Sequence, residues 1–142
     1  MDASLQTDLK KEYIKKSAEV DYSISLPTSE FDVMRAVWSG EPPLTTNFLM
    51  KKIGLEKGWK SPTLISFLVR LEDRGYIMSY KKGKERYYIP LAVRDTYISQ
   101  ATRNFLAQYH DGSFVNFLDS LFKDRVFENS DIDDLLVWLK KK

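Results

Sequence analysis

The stretch 60-KSPTLISFLVRLEDRGYI-77 decides how the chain is read. Leu64, Phe67, Leu68 and Leu71 recur at helical spacing and make one apolar stripe. The other face carries Thr63, Ser66 and Arg70 among Pro62, Ile65 and Val69. Ser61 is expected as the N-cap, with Pro62 at the first helical position, where its missing N–H costs nothing. Gly75 fits the left-handed residue that stops a helix. The segment is a core helix on one side and a mild, exposed surface on the other.

Working outward, 26-LPTSEFDVMRAVW-38 predicts an earlier helix capped by Thr28 or Ser29. Phe31, Met34 and Val37 form its buried side, flanked by Val33 and Trp38. The stretch 40-GEPPL-44 ends it. A second helix is expected from Thr45 or Thr46, with Phe48, Leu49 and Ile53 inward. After the quoted helix, 76-YIMSYKKGKERYYIPL-91 reads as two short strands around a Lys82-Gly83 turn, closed by Pro90. Three helices and a hairpin, in that order, make a winged helix-turn-helix.

Three more helices are expected beyond the hairpin. Arg94 to His110 places Ile98, Ala101, Phe105 and Tyr109 on one side, and Gly112 stops it. Ser113 can cap the next, which carries Phe114, Phe117, Leu118, Leu121 and Phe122. The last starts at Ser130, with Asp133 completing a capping box and Ile132, Leu135, Leu136 and Leu139 as its stripe. Residues 1–22 are polar, with Leu5, Leu9 and Tyr13 four apart, which supports at best a marginal helix. The expected architecture is mainly α with a small β-hairpin. A loose or disordered N-terminal extension (1–22) precedes a winged helix-turn-helix domain (23–91) and a helical dimerisation domain (92–142).

The 142 residues suffice for one domain or two small ones. No apolar run reaches the length of a membrane span and no secretion signal is visible, so a cytoplasmic location is expected. With no cysteine, disulfides and thiolate metal sites are excluded. The net charge of +2 hides a strong asymmetry. From Lys51 to Arg86 ten Lys/Arg face four Asp/Glu; from Asp111 to Leu139 two face seven. A basic middle points to a polyanion, and an acidic tail to a different task.

Enzyme readings fare badly. His110 is the only histidine; without cysteine it cannot complete a usual zinc set, and it sits beside a helix stop in 109-YHDGS-113. No glycine-rich phosphate loop is present. The carboxylates of 128-ENSDIDD-134 lack calcium-loop spacing and suit a solvated helix start. No cofactor and no metal are expected.

The nucleic-acid reading rests on geometry and charge together. Only the first two turns of the quoted helix enter a groove deeply, which selects Pro62, Thr63, Ile65 and Ser66, with Ser61 at the start and Arg70 on the flank. Hydroxyls can bond to bases or phosphates, and Ile65 or the Thr63 methyl can touch a thymine methyl. Lys60 can reach a phosphate. Lys81, Lys82, Lys84 and Arg86 on the hairpin, and Lys51, Lys52 and Lys57 at the end of the second helix, supply a sequence-independent, salt-sensitive hold. The alternative reading is a winged-helix module that contacts another protein.

The tail is too apolar to stand in water. Phe114, Phe117, Leu118, Leu121, Phe122, Leu135, Leu136 and Leu139, with Phe105 and Tyr109 before them, are each worth about 1.5–3 kcal/mol when buried. Pairing with the tail of a second chain buries more than folding back. A symmetric homodimer would read a DNA dyad.

At this point the chain resembles the penicillinase repressor family, the BlaI/MecI/CopY type of winged-helix transcriptional repressor. The likeness runs from about Ser23 to Leu139. It rests on 29-SEFDVMRAVW-38, then Trp59 followed by 63-TLISFLVRLEDRGYI-77, on 86-RYYIPL-91 in the second wing strand, and on 105-FLAQYHDGSFVNFLDSLF-122. The resemblance implies a dimer that covers a palindromic operator and blocks transcription. Thr63 and Ser66 match hydroxyl-bearing recognition positions of that family. Ile65 and Pro62 stand where its members often carry basic residues. The resemblance leaves the inducer, a protease or another signal, open. The family's Asn-Phe cleavage bond aligns with Ser120-Leu121, while Asn104-Phe105 falls in the preceding helix. The cysteine cluster of its copper-responsive branch is absent. The segment before Ser23 is longer than is usual in the family.

Overall fold

A computed structural model describes residues 3–125 and 127–142; residues 1 and 2 of the extension lie outside that description. The described chain forms α1 (Ala3–Ala18), α2 (Thr28–Ser39), β1 (Leu44–Thr45), α3 (46–57), α4 (Ser61–Asp73), β2 (Ile77–Lys82) and β3 (Glu85–Pro90). Three helices follow: α5 (Arg94–His110), α6 (Phe114–Lys123) and α7 (Asn129–Lys140). Helix α3 changes pitch along its length, with a π-helical turn over Met50–Gly54 between α-helical Thr46–Leu49 and Leu55–Lys57. The chain divides into two compact units, one up to Ala101 and one from Thr102 onward.

The first unit is a winged helix. Val33, Met34 and Val37 of α2 and Leu64, Leu68 and Leu71 of α4 are almost wholly buried, together with Leu49, Tyr76 and Ile77. Phe67 packs at the edge of this core and stacks on Trp59, ring centroids 4.9 Å apart. The sheet is antiparallel in the order β1-β3-β2. Leu44 and Thr45 pair with Tyr88 and Tyr87, so a short strand stands beside the expected hairpin. It was not foreseen because two residues carry no alternation to read. The hairpin turns at Gly83-Lys84, one residue later than expected, with Gly83 at φ 65°.

The caps of α2, α4 and α7 diverge from expectation. Helix α3 starts where expected, with Thr45 as its cap accepting from Phe48 N–H at 3.1 Å, and Ser113 caps α6 as expected, accepting from Asn116 N–H. Pro27, not Thr28 or Ser29, is the cap residue of α2. Lys60 holds that place in α4, which moves Ser61 into the helix and Pro62 to its second position. Proline fits this first turn equally well, because no intrahelical acceptor waits for its nitrogen. Helix α7 starts before Ser130: Glu128 caps it, with Asp131 donated to by the Glu128 N–H, a capping box built from acids. The acids lie at the positive end of the helix dipole.

The extension, for which the sequence supports a marginal helix at best, is helical over Ala3–Ala18. None of its described residues is buried. The segment after it is tied down by tyrosines. Tyr76 Oη donates to Asp21 O at 3.0 Å, Tyr97 Oη accepts from Leu26 N–H at 2.9 Å, and Tyr22 Oη accepts from Val93 N–H at 2.8 Å. Tyr97 belongs to α5, so the start of that helix, with Ile98 and Ala101, packs on the winged-helix core. The division between units thus falls inside α5, beyond the boundary at 91/92 read from the sequence. Burial of the Tyr76 phenol raises its pKa to about 12, so this donor stays protonated throughout the neutral range.

One charge lies inside the core. Glu30 is 2% exposed and accepts from Arg74 Nε at 2.6 Å and from its Nη2 at 3.4 Å. The hydrogen bond to Glu30 raises the Arg74 pKa further above its ordinary value, so the guanidinium keeps its charge. It ties the first turn of α2 to the end of α4. Arg74→Ala leaves the carboxylate without its partner and should cost about 2–4 kcal/mol. Chemical denaturation should report that loss, and removing both charges in Glu30→Leu/Arg74→Leu should recover a large part of it.

Candidate nucleic-acid interface

Helix α4 is amphipathic with an unusual outer side. At 100° per residue, the buried stripe leaves two parallel exposed strips. One is apolar: Pro62, Ile65 and Val69. The other is polar: Thr63, Ser66 and Arg70. All six are exposed, Ile65 by 42% and Val69 by 51%. The expected recognition residues are therefore brought to one surface, sorted by chemistry into two edges. Arg70 does not extend freely outward; its guanidinium carbon lies 5.6 Å from the Phe67 ring centroid, a cation–π contact. Asp73 is also exposed on this side, in the last turn. Its negative charge is unfavourable for a phosphate near the helix C-terminus.

The N-terminus of α4 has no side-chain cap. Lys60 and Ser61 stand exposed beside it. The partial positive charge of the helix end and the Lys60 ammonium suit a phosphate together.

Register divides the four wing cations. Lys81 lies directly opposite Arg86 on one face of the hairpin, and Lys82 opposite Glu85 on the other; Lys84 follows Gly83 in the turn. All four cations are exposed. Like charges directly across a strand pair destabilise it, whereas Lys82 and Glu85 favour theirs. The Lys81–Arg86 opposition is relieved in part by a relay. Arg86 Nη1 donates to Ser79 Oγ at 2.9 Å, and Ser79 Oγ donates to Glu72 Oε1 at 2.5 Å. Glu72 is in the last turn of α4, so the relay couples the wing to that helix. Sequence reading missed it because its three members have no common periodicity. Lys57 is engaged as well, by Asp32 at 3.1 Å, which weakens its candidacy as a phosphate contact. Lys51 and Lys52 stay exposed in the π-helical turn.

The tail residues lie in the second unit. Phe105, Tyr109, Phe114, Phe122, Leu136 and Leu139 are each between 44% and 64% exposed, and Phe117, Leu118, Leu121 and Leu135 are half-buried. None of the described residues of this unit is buried. Phe105 and Phe117 meet edge to face at 6.1 Å, and Phe122 and Phe127 at 5.0 Å. His110 is not simply solvent-facing: it packs against both Phe105 and Phe117, at 5.4 Å from each. Among the described residues no group of three or more His, Cys, Asp or Glu is placed to hold a metal ion. No described helix is long and apolar enough to cross a membrane.

Removing Lys81 separates two effects. Lys81→Ala should slightly raise the melting temperature, because the opposition to Arg86 disappears. It should also lower the slope of log affinity against log salt by about one for duplex DNA. Thermal melts and anisotropy titrations at several salt concentrations measure both; a fall in stability with an unchanged slope would contradict this account.

Residues 26–141 match the family model described as penicillinase repressor. The penicillinase repressor of Bacillus licheniformis is 22% identical over 107 residues, which cover 75% of this chain and 83% of that protein. The methicillin resistance regulatory protein MecI of Staphylococcus aureus (strain N315) is 24% identical over 121 residues, 85% of this chain and 96% of that protein. Among solved structures, the DNA-binding domain of the repressor BlaI aligns at 25% identity with a TM-score of 0.46, over 51% of this chain and 88% of that one. The match to the family model spans all of the winged helix from Leu26 and nearly all of the helical tail, and on that span the chain belongs to the penicillinase repressor family, whose members are transcriptional repressors and not enzymes.

Proposed function

We propose that this chain is a homodimeric DNA-binding repressor that occupies a palindromic operator, one winged helix to each half-site. The observation that carries the reading is the outer side of α4. Its exposed strips start beside Lys60 and an uncapped helix end, with Lys81, Lys84 and Arg86 on the wing of the same unit. Helix α4 supplies the surface for the major groove, through Thr63, Ile65 and Ser66. The wing cations and Lys60 supply attraction to phosphates.

The apolar tail supports the dimer. A unit in which no described residue is buried, yet which exposes Phe114, Phe122, Leu136 and Leu139, lacks a sufficient core of its own. A second copy of the same surface gives an isologous interface. Dimerisation also makes the second half-site contact effectively intramolecular, so any event that splits the dimer releases the operator. The bond between Ser120 and Leu121 lies inside α6, in the segment on which that association rests.

Two measurements test the reading. Anisotropy titration of the full chain against a dyad duplex should show tight binding that weakens steeply between two salt concentrations; binding indifferent to salt would contradict it. Phe122→Asp/Leu136→Asp alters two exposed side chains and should leave the winged helix folded. Sedimentation should then report a monomer, with dyad affinity reduced at least tenfold and half-site affinity unchanged. Charge reversal at Lys82, Lys84 and Arg86 distinguishes a protein-docking module, for which DNA affinity would not change.

A further inference from the structure

The apolar strip of α4 has no role in phosphate attraction, and its chemistry is specific. Resting on the repressor reading above, we propose that Pro62 and Ile65, on the first two turns of that strip, face the C5-methyl groups of thymine in the major groove. Ile65 is the specificity-determining contact.

Thymine is the one base that places an apolar group in the major groove; guanine, cytosine and adenine offer only hydrogen-bonding atoms there. Ile65 is in the second turn of α4, is 42% exposed and carries no hydrogen-bonding group on its side chain. Against a thymine methyl it buries apolar surface on both sides. Against a G·C pair it covers donors and acceptors that then lack partners, which opposes binding. The same residue thus attracts one base and rejects others. No competing readout is available on this strip. The usual guanine fork needs an arginine or lysine on the outer face of the first two turns, and the only Arg or Lys within α4 is Arg70, in its third turn against Phe67. The Thr63 and Ser66 hydroxyls on the other strip remain for bases or phosphates.

A protein partner is the less favoured occupant. Lysine is depleted at the centre of protein interfaces, yet this strip starts beside Lys60 and shares its unit with Lys81, Lys82 and Lys84. Three side chains on one helix also fall far short of the area a stable protein contact needs. A single α-helix, by contrast, fills the major groove.

The test uses the full-length chain and a randomised 30-base-pair duplex library. After selection, each thymine of the enriched duplex is replaced in turn by deoxyuridine, which deletes only the methyl. At one or more positions per half-site the wild-type chain should bind about three- to fivefold more weakly for each methyl read. In Ile65→Ala, which removes an exposed side chain and should fold normally, the penalty should vanish at one position per half-site. Deoxyuridine tolerated at every position, or a penalty that persists at every position in Ile65→Ala, overturns the inference. So does a variant that binds DNA normally while losing association with a protein. In those cases enrichment and salt-sensitive binding of the library would still stand with the repressor reading, whereas failure to enrich any duplex would remove the repressor reading itself.

Discussion

Three consecutive residues, Arg74, Gly75 and Tyr76, hold the winged helix together. Gly75 takes φ 79°, a conformation that costs other residues but not glycine, and so turns the chain from α4 into the wing. Its N–H donates to Glu72 O at 2.9 Å and that of Tyr76 to Leu71 O at 3.0 Å, the paired bonds of a Schellman motif. Arg74 reaches to Glu30 in the first turn of α2. Tyr76, fully buried, donates its hydroxyl to Asp21 O, and its carbonyl accepts from Leu91 and Ala92 N–H at 2.9 and 3.1 Å. One joint thereby fixes the direction of α4, the root of the wing, the start of α2 and the approach to α5. The angle between the reading helix and the wing is set by this joint and by the Glu72–Ser79–Arg86 relay beyond it.

Much of this was legible in residue spacing. The stripe Leu64, Leu68 and Leu71 is buried as read, and so are Met34 and Val37 of α2. The Thr45 cap and the Gly75 stop stand where local chemistry put them. What escaped was set by tertiary contact. Thr28 and Ser29 look like caps, but Pro27 already supplies an extended backbone (φ −55°, ψ 152°) and the helix starts at Thr28 itself, earlier than those caps imply. Lys60 takes the corresponding place in α4 with no side-chain acceptor at all. Partners such as Glu30 with Arg74, or Tyr97 with Leu26, are separated by forty-four and seventy-one residues, and no local pattern announces them.

The candidate interface was legible as a set of residues and not as an arrangement. Spacing put Pro62, Thr63, Ile65, Ser66 and Arg70 outside the core. It could not tell that Arg70 folds onto Phe67, or that Arg86 is bound through Ser79 to an acid of α4. Four basic residues among the six hairpin positions from Lys81 to Arg86 read as one cluster. Strand register separates them into an opposed pair on one face and a compensated one on the other. Register is a property of two strands together, so a one-strand count of charge cannot contain it.

The opposition of Lys81 and Arg86 has a physical reading that joins fold and function. A hairpin selected for stability alone would set an acid across from a base, as Lys82 and Glu85 do a residue further along. Like charges there raise the free energy of the unbound wing. An anion approaching that face lowers it, since each phosphate relieves repulsion as well as adding attraction. On the proposed reading, part of the binding energy comes from this repulsion in the free wing. The arrangement also frees α4 from any duty to hold the duplex. On the proposed reading, with attraction supplied by the wing and by Lys60, the first two turns of α4 can keep an uncharged outer surface. A surface of methyl and hydroxyl groups discriminates between base pairs, where added cations would grip every sequence alike.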